Sequence, residues 1–323
     1  MRHLAWFGFL VACASHPSEP SPASDGSAAR VPFVMANPMG VFTLDATGGN
    51  KSYLYSGTSG AASWTPDGRI LFSIPSPPQI RIMNADGSGM RVLFDGTSYG
   101  LTFALKAQMA GGHVTFMAWP PNGTIDNGQI SIWIMDADGS NPHRIIDGAY
   151  MPHLARDGTF LVYTVQSPAP GETPPYHRQV WRANIDGSAQ MQLTFPDDAN
   201  YPDANAAAIS PDGTAIAIFS GKEEDDTCTT NCGPSTWGYR NVAIISPTGG
   251  PRRLVTSCEP VTVNPNAQCN VADNPFWSPD GSAVGWDFSS AAGLTQTWVS
   301  STTGTDAHRL YTELRAGGNV PWH

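Results

Sequence analysis

Trp64-Thr65-Pro66-Asp67-Gly68-Arg69-Ile70-Leu71-Phe72-Ser73 is followed closely by Gln79-Ile80-Arg81-Ile82-Met83-Asn84-Ala85-Asp86-Gly87-Ser88, and then by Met90-Arg91-Val92-Leu93-Phe94-Asp95-Gly96. Pro-Asp-Gly between two apolar segments is a tight-turn signature. Pro presets φ, the Asp side chain bonds its own backbone, and Gly takes a positive φ. Asn-x-Asp-Gly between two further short segments marks a second, hairpin turn. The intervening runs are short and rich in Ile, Val, Leu and Phe, as strands are. The stretch therefore predicts a unit of four short antiparallel strands.

The unit repeats. Ile209-Ser210-Pro211-Asp212-Gly213 leads to Asn241–Gly249, and Trp277-Ser278-Pro279-Asp280-Gly281 leads to Gln296–Gly304. Another copy begins at Leu154-Ala155-Arg156-Asp157-Gly158 and continues through Gln179–Gly187; a degenerate one begins at Ala110-Gly111-Gly112 and recovers in Gln129–Gly139. The second-turn glycines fall at 48, 87, 139, 187, 249 and 304, a mean step of about 51 residues. Four strands at that period make a propeller blade. Six second turns but only five complete first halves leave the first unit without its opening strand. Gly318-Asn319-Val320-Pro321-Trp322-His323 mimics Asp273–Trp277 and supplies the missing strand. The expected fold is all-β: a six-bladed β-propeller of four-stranded antiparallel blades, its ring closed by the C-terminal strand joining the N-terminal blade.

Composition agrees. The 323 residues include 33 Gly and 28 Pro, and only 14% are charged. Asp supplies 21 of the 27 acids, while Lys occurs only at 51, 106 and 222. Such usage belongs to turns and excludes a helical bundle. A hydrophobic fraction of 41% excludes a disordered chain, and a net charge of −10 argues against a nucleic-acid partner. The sequence has no run of eighteen apolar residues.

Residues 1–12 look like a signal peptide, with Arg2 and His3 before the apolar run Leu4–Ala12. Leu10-Val11-Ala12-Cys13 resembles a bacterial lipobox, which implies lipid attachment at Cys13; Ala14 after it favours the outer membrane by the same resemblance. Plain secretion to the periplasm or exterior, with cleavage at Ala12-Cys13-Ala14, is the alternative. Residues 13–30 carry no large apolar side chain and read as a Ser/Pro/Ala tether. The propeller is expected over residues 31–323. Cys228, Cys232, Cys258 and Cys269 form an even set, which in an exported protein implies disulfides. The two local pairings, Cys228–Cys232 and Cys258–Cys269, are favoured because each closes a short polar loop. A zinc site is the alternative, although no His lies near either pair.

The Trp-x-Pro-Asp-Gly and Asp-x-Asp-Gly pattern resembles the PD40, or TolB-like, β-propeller repeat over roughly residues 31–323. The resemblance implies the fold; a propeller by itself hosts many functions. Two Cys-bearing inserts, near 221–239 and 258–272, depart from the repeat. So does the tether, which stands where TolB carries an α/β domain.

Candidate chemistry is sparse. Gly96-Thr97-Ser98-Tyr99-Gly100 matches a nucleophile-elbow pattern, but it falls between blades, not on a strand-to-helix turn. Asp136-Ala137-Asp138-Gly139-Ser140 lacks the remaining ligands of a calcium loop and reads as a turn. His153, Asp203 and His323 occupy similar places near innermost strands and are the weak metal candidates at a channel mouth. His113, His143, His177 and His308 read as solvated surface, and Lys222–Asp226 as a solvated acidic loop. No catalytic or cofactor-binding residue and no cofactor are assigned. The leading expectation is a non-enzymatic, monomeric, lipid-anchored envelope propeller that binds an envelope protein or cell-wall component. It touches the membrane only through its anchor. Two alternatives stay open: a metal-dependent lyase or hydrolase of sugars or lactones acting at the mouth, and a small-ligand sensor.

Overall fold

The computed structural model describes residues 33–37, 39–123, 128–166, 177–196, 202–222, 239–256, 272–289 and 295–312. Six antiparallel sheets follow one another in chain order. The first holds β1 (Phe33–Asn37), β2 (Gly40–Leu44) and β3 (Ser52–Ser56). The second holds β4 (Ala62–Trp64), β5 (Ile70–Ile74), β6 (Gln79–Met83) and β7 (Arg91–Asp95). The third is β8 (Phe103–Ala110), β9 (His113–Trp119), β10 (Ser131–Asp136) and β11 (His143–Asp147). The fourth is β12 (Ala149–Leu154), β13 (Phe160–Gln166), β14 (Arg178–Asn184) and β15 (Met191–Gln192). The fifth is β16 (Asp203–Ile209), β17 (Ile216–Lys222), β18 (Tyr239–Ile245) and β19 (Arg253–Leu254). The sixth is β20 (Ala272–Trp277), β21 (Ala283–Ser289), β22 (Thr295–Ser301) and β23 (His308–Thr312).

The protein is a six-bladed β-propeller, as its repeat predicts. Five blades show four strands each and the first shows three among the described residues. The strand expected from residues 318–323 lies outside them. Pairing along each blade is plain antiparallel; β5 meets β6, for example, with Ile70 opposite Met83 and Ile74 opposite Gln79. All five residues of β5 are buried because neighbouring blades cover both of its faces, whereas β3 at a blade's outer edge is largely exposed.

The core is divided among the interfaces. Leu71 and Ile82 of blade 2 pack with Val114 and Phe116 of blade 3. Ile132 of blade 3 meets Tyr163 of blade 4, Val162 meets Ile216 of blade 5, and Phe219 meets Trp286 of blade 6. Val34 and Phe72 join blades 1 and 2. Phe33 and Phe42 of blade 1 pack with Phe276 and Val299 of blade 6, and the Phe33 and Phe276 rings stand edge-on at 6.4 Å. Each such aliphatic or aromatic side chain contributes about 1.5–3 kcal/mol by leaving water. The ring is therefore closed by packing between the first and last blades.

The six second-turn glycines have φ of +77, +84, +94, +81, +79 and +78°, at 48, 87, 139, 187, 249 and 304. Each also presses on the outermost strand of the preceding blade, or the residue just past it. A Cβ at Gly48 would overlap the Leu310 carbonyl oxygen, one at Gly139 that of Leu93, and one at Gly304 that of Val255. At Gly187 it would stand 2.5 Å from the Ile145 oxygen, at Gly249 3.0 Å from that of Leu193, and at Gly87 3.1 Å from that of Leu54. The contact cycles through all six interfaces, and Gly48 on Leu310 completes the circle.

Candidate functional site

Every innermost strand begins on one face of the propeller and ends on the other. The Pro-Asp-Gly turns follow those ends, so that side is the turn face. The opposite side, reached by the longer connections, is the loop face. Trp64, Leu154, Ile209 and Trp277, the last residues of their innermost strands, and Met109, the last but one of β8, line a cavity of about 240 Å³ at the turn-face mouth. Blade 1 adds nothing to this ring among the described residues.

Side chains just inside the mouth stitch neighbouring blades together. Ser63 Oγ donates to the Ala107 carbonyl at 2.9 Å. The Gln108 amide donates to Leu154 O at 3.1 Å and accepts from Leu154 N at 2.7 Å. His153 Nδ1 accepts from Ile209 N at 3.2 Å, and the Trp277 indole N–H donates to Ala208 O at 2.9 Å. These bonds satisfy the free backbone edge that an innermost strand presents to the channel. His153 accepts at Nδ1, so its neutral ring carries the proton on Nε2.

Around the rim the turns hold themselves. Ser210 and Ser278 donate to Asp212 and Asp280, each at 2.6 Å, and Thr65 to Asp67 at 2.5 Å. The Ser278 hydroxyl, followed by the N–H and hydroxyl of Ser282, holds the Asp280 carboxyl down at about 2. Asp306 is held at about 2 by the Ser301 hydroxyl and N–H and then the Ser300 hydroxyl. Asp45 is also held at about 2, chiefly by the Thr47 hydroxyl and with burial partly opposing. A carboxylate whose folded pKa is depressed stabilises the fold above its unfolded pKa and loses that contribution as pH falls through the folded one. Thermal stability is therefore expected to be level down to about pH 4 and to fall between about pH 4 and 2. Ser278→Ala should shrink that fall; an unchanged acid limb in a melting series would refute the assignment.

Midway along the channel, Lys106 Nζ donates to Asn274 Oδ1. Blades 3 and 6 stand three sectors apart, so this bond spans the channel. Asn274 Nδ2 donates onward to Asp287 Oδ2 at 3.3 Å, and Thr297 Oγ1 donates to Asp287 Oδ1 at 3.0 Å. Lys106 and Asn274 have φ of +57 and +55°, as do the equivalent Met151 and Ala206 at +52 and +48°. All four sit in β-bulges of the innermost strands, which is what forces the left-handed backbone on them.

On the loop face, Asp203 Oδ1 accepts from His177 Nδ1 and Arg178 N, both at 3.1 Å. His177 is thus half-buried and paired, where its sequence context suggested solvated surface. His153 and Asp203 do not come together. His153 bonds Ile209 at the end of β16, and Asp203 opens the same strand six residues earlier, roughly 20 Å away along an extended chain. His323 lies outside the described residues, as do Cys13, Cys228, Cys232, Cys258 and Cys269. Among the described residues no three His, Cys, Asp or Glu side chains form a metal-binding group. Nor is any helix there long and apolar enough to cross a membrane.

The nucleophile-like Gly96–Tyr99 is one 3₁₀ turn joining blades 2 and 3. The Asp95 carboxylate caps it, accepting from Thr97 N at 3.0 Å, and Gly100 ends it at φ +67°. Asp136–Ser140 is a turn closed on itself, with Asp138 Oδ1 accepting from Ser140 N at 2.8 Å. Gln108, Lys106 and Arg156 carry no motif. Only Arg156 left a trace in the sequence, standing where three other repeats have Pro.

No protein-family model matches the chain, and no curated protein does. Solved structures match in shape. The TolB crystal structure from Acinetobacter baumannii is 19% identical at a TM-score of 0.61, with 90% of this chain and 65% of that one covered. This chain therefore spans slightly under two thirds of that protein. A protein of Agrobacterium tumefaciens assigned as TolB is 14% identical at a TM-score of 0.64, covering 91% and 93%. A chain of the nidogen/laminin complex is 9% identical at 0.61, covering 88% and 94%. At these identities the likeness is one of fold: this chain is a TolB-like six-bladed β-propeller.

Proposed function

We propose that the protein is a non-enzymatic, lipid-anchored platform of the cell envelope that binds another protein or a cell-wall component on the loop face of its propeller. The observation that carries this reading is where the exposed apolar side chains fall: of eight large ones among the described residues, Tyr53, Met90, Val92 and Met191 lie on or beside outermost strands, and the other four lie on the loop face. Met39, Tyr99, Phe103 and Phe195 are 65, 46, 37 and 51% exposed, and all four sit at strand ends or connections of the loop face. Phe103 stacks on Trp119 at 4.7 Å, forming a flat aromatic surface there. Apolar side chains left exposed on one face serve as interaction anchors, aromatic ones above all. The two Cys-bearing connections join β17 to β18 and β19 to β20, and their flanking strand ends are on this same face. The propeller likeness to TolB and to a chain of a nidogen/laminin complex supports a binding role in the same sense. The lipobox-like Leu10–Cys13 supports the anchor.

Two variants test the reading. Cys13→Ser should move the protein from the membrane fraction to the soluble fraction, and continued membrane attachment overturns the anchor. Phe103→Asp with Phe195→Asp should reduce crosslinked capture of envelope components at least tenfold, since each exposed anchor is worth about 1–2 kcal/mol. Undiminished capture by the folded double variant overturns the platform.

A further inference from the structure

The turn-face cavity has a composition that the blade repeat does not require. Its walls are mainly apolar, with Trp64 and Trp277 on blades 2 and 6 and Met109, Leu154 and Ile209 on the blades between them, and Thr65, Ser210 and Ser278 beside them. Its deeper polar groups are spent on blade stitching: the Gln108 amide holds Leu154, His153 Nδ1 accepts from Ile209 N, and the Trp277 indole holds Ala208. Three rim positions are Pro66, Pro211 and Pro279, which follow the repeat. The fourth is Arg156, where the local turn chemistry asks for Pro. A residue that breaks a local rule without a local gain is where a functional role is to be sought.

Arg156 is exposed and makes no hydrogen bond or ion pair among the described residues. The neighbouring acids do not compete for it. Asp157 is held by Thr159 at 2.8 Å, Asp212 by Ser210 at 2.6 Å and Asp280 by Ser278 at 2.6 Å. One uncommitted guanidinium thus stands at the lip of an apolar, tryptophan-walled chamber. A guanidinium matches a carboxylate as a two-pronged fork, and indole faces match flat apolar bodies. A volume of about 240 Å³ is room enough for a carboxylate carrying one six-membered ring.

We propose that this cavity binds a small monocarboxylate with a flat apolar body, of benzoate size, its carboxylate on Arg156 and its body between Trp64 and Trp277. The site lies on the face opposite the platform surface, so each stands or falls without the other.

Titration calorimetry on the full chain, with benzoate as the probe, tests it. Benzoate should bind with a dissociation constant of about 1 mM or tighter, as good contacts for a nine-atom ligand allow. Benzamide, of the same shape without charge, and acetate, charged without a ring, should each bind at least about tenfold more weakly. Arg156→Gln should weaken benzoate about tenfold or more while leaving the melting temperature unchanged, because Arg156 makes no hydrogen bond or ion pair among the described residues. Arg156→Lys, which keeps the charge and loses the fork, should fall between. The proposal is overturned by no benzoate binding up to about 10 mM, by equal affinity for benzamide, or by an unaltered Arg156→Gln. Preference for a peptide with a C-terminal apolar residue over benzoate also overturns it, since the occupant is then a partner's tail.

Discussion

Gly304→Ala is expected to destabilise the protein by about 2–4 kcal/mol, and Gly213→Ala by only about 1 kcal/mol. The two glycines look alike locally. Each closes a tight turn, with Gly304 N donating to Ser301 O at 3.0 Å and Gly213 N to Ser210 O at 2.9 Å. Their φ values are +78 and +73°. Alanine pays the left-handed penalty at both, about 1 kcal/mol. At Gly213 nothing lies within 4 Å of the new Cβ, so the cost ends there. At Gly304 the Cβ would overlap the Val255 carbonyl oxygen of the preceding blade, and two backbones must part. Overpacking of that kind adds about 1–3 kcal/mol. Asparagine separates the two costs: it tolerates a left-handed backbone, so Gly213→Asn should be close to neutral and Gly304→Asn as damaging as alanine. Denaturant midpoints that fall equally for the two alanine variants would falsify the argument that blade contact, beyond turn geometry, selects the second-turn glycines.

Gln108→Leu should cost about 2–4 kcal/mol although it keeps the size and adds apolar surface. Leu154 is fully buried, and its backbone N–H and C=O both end on the Gln108 amide. Leucine leaves both groups dry and unpaired, at about 1–3 kcal/mol each before relaxation. Gln192 provides the control. Its amide donates only to Thr194 O at 2.8 Å, two residues away and partly exposed, so Gln192→Leu should cost under about 1 kcal/mol. Comparable losses for the two variants would remove Gln108 from the role given to it here. His153 is a member of the same set, binding Ile209 N across the next interface. Its burial and its bond account for its position at an innermost strand.

Turn chemistry is local, and it was legible in the chain. Asp280 bonds Ser278 and Ser282, two residues away on either side, and Asp138 bonds Ser140. Contacts that short are written in consecutive letters, and a period of about 51 residues repeats them often enough to count blades. The misplaced residues are the ones whose partners are remote. His177 read as surface because nothing beside it suggests burial; its partner Asp203 is 26 residues away in the next blade. His153 and Asp203 looked alike because both sit near the start of an innermost-strand copy. Register separates them: His153 is the fifth residue of β12 and Asp203 the first of β16.

What the chain determined alone was the kind of fold, the number of blades and the residues at each turn, because these depend on φ preferences, hydrophobic alternation and their spacing. Only the ring decided the rest. It chose which glycines meet a carbonyl, which amides satisfy a neighbour's edge, and that Lys106 and Asn274, 168 residues apart, face each other across the channel. It also gathered two tryptophans and one arginine from separate blades around a single cavity. Such contacts follow from closing six blades on a common axis, a global constraint that no short stretch of sequence carries.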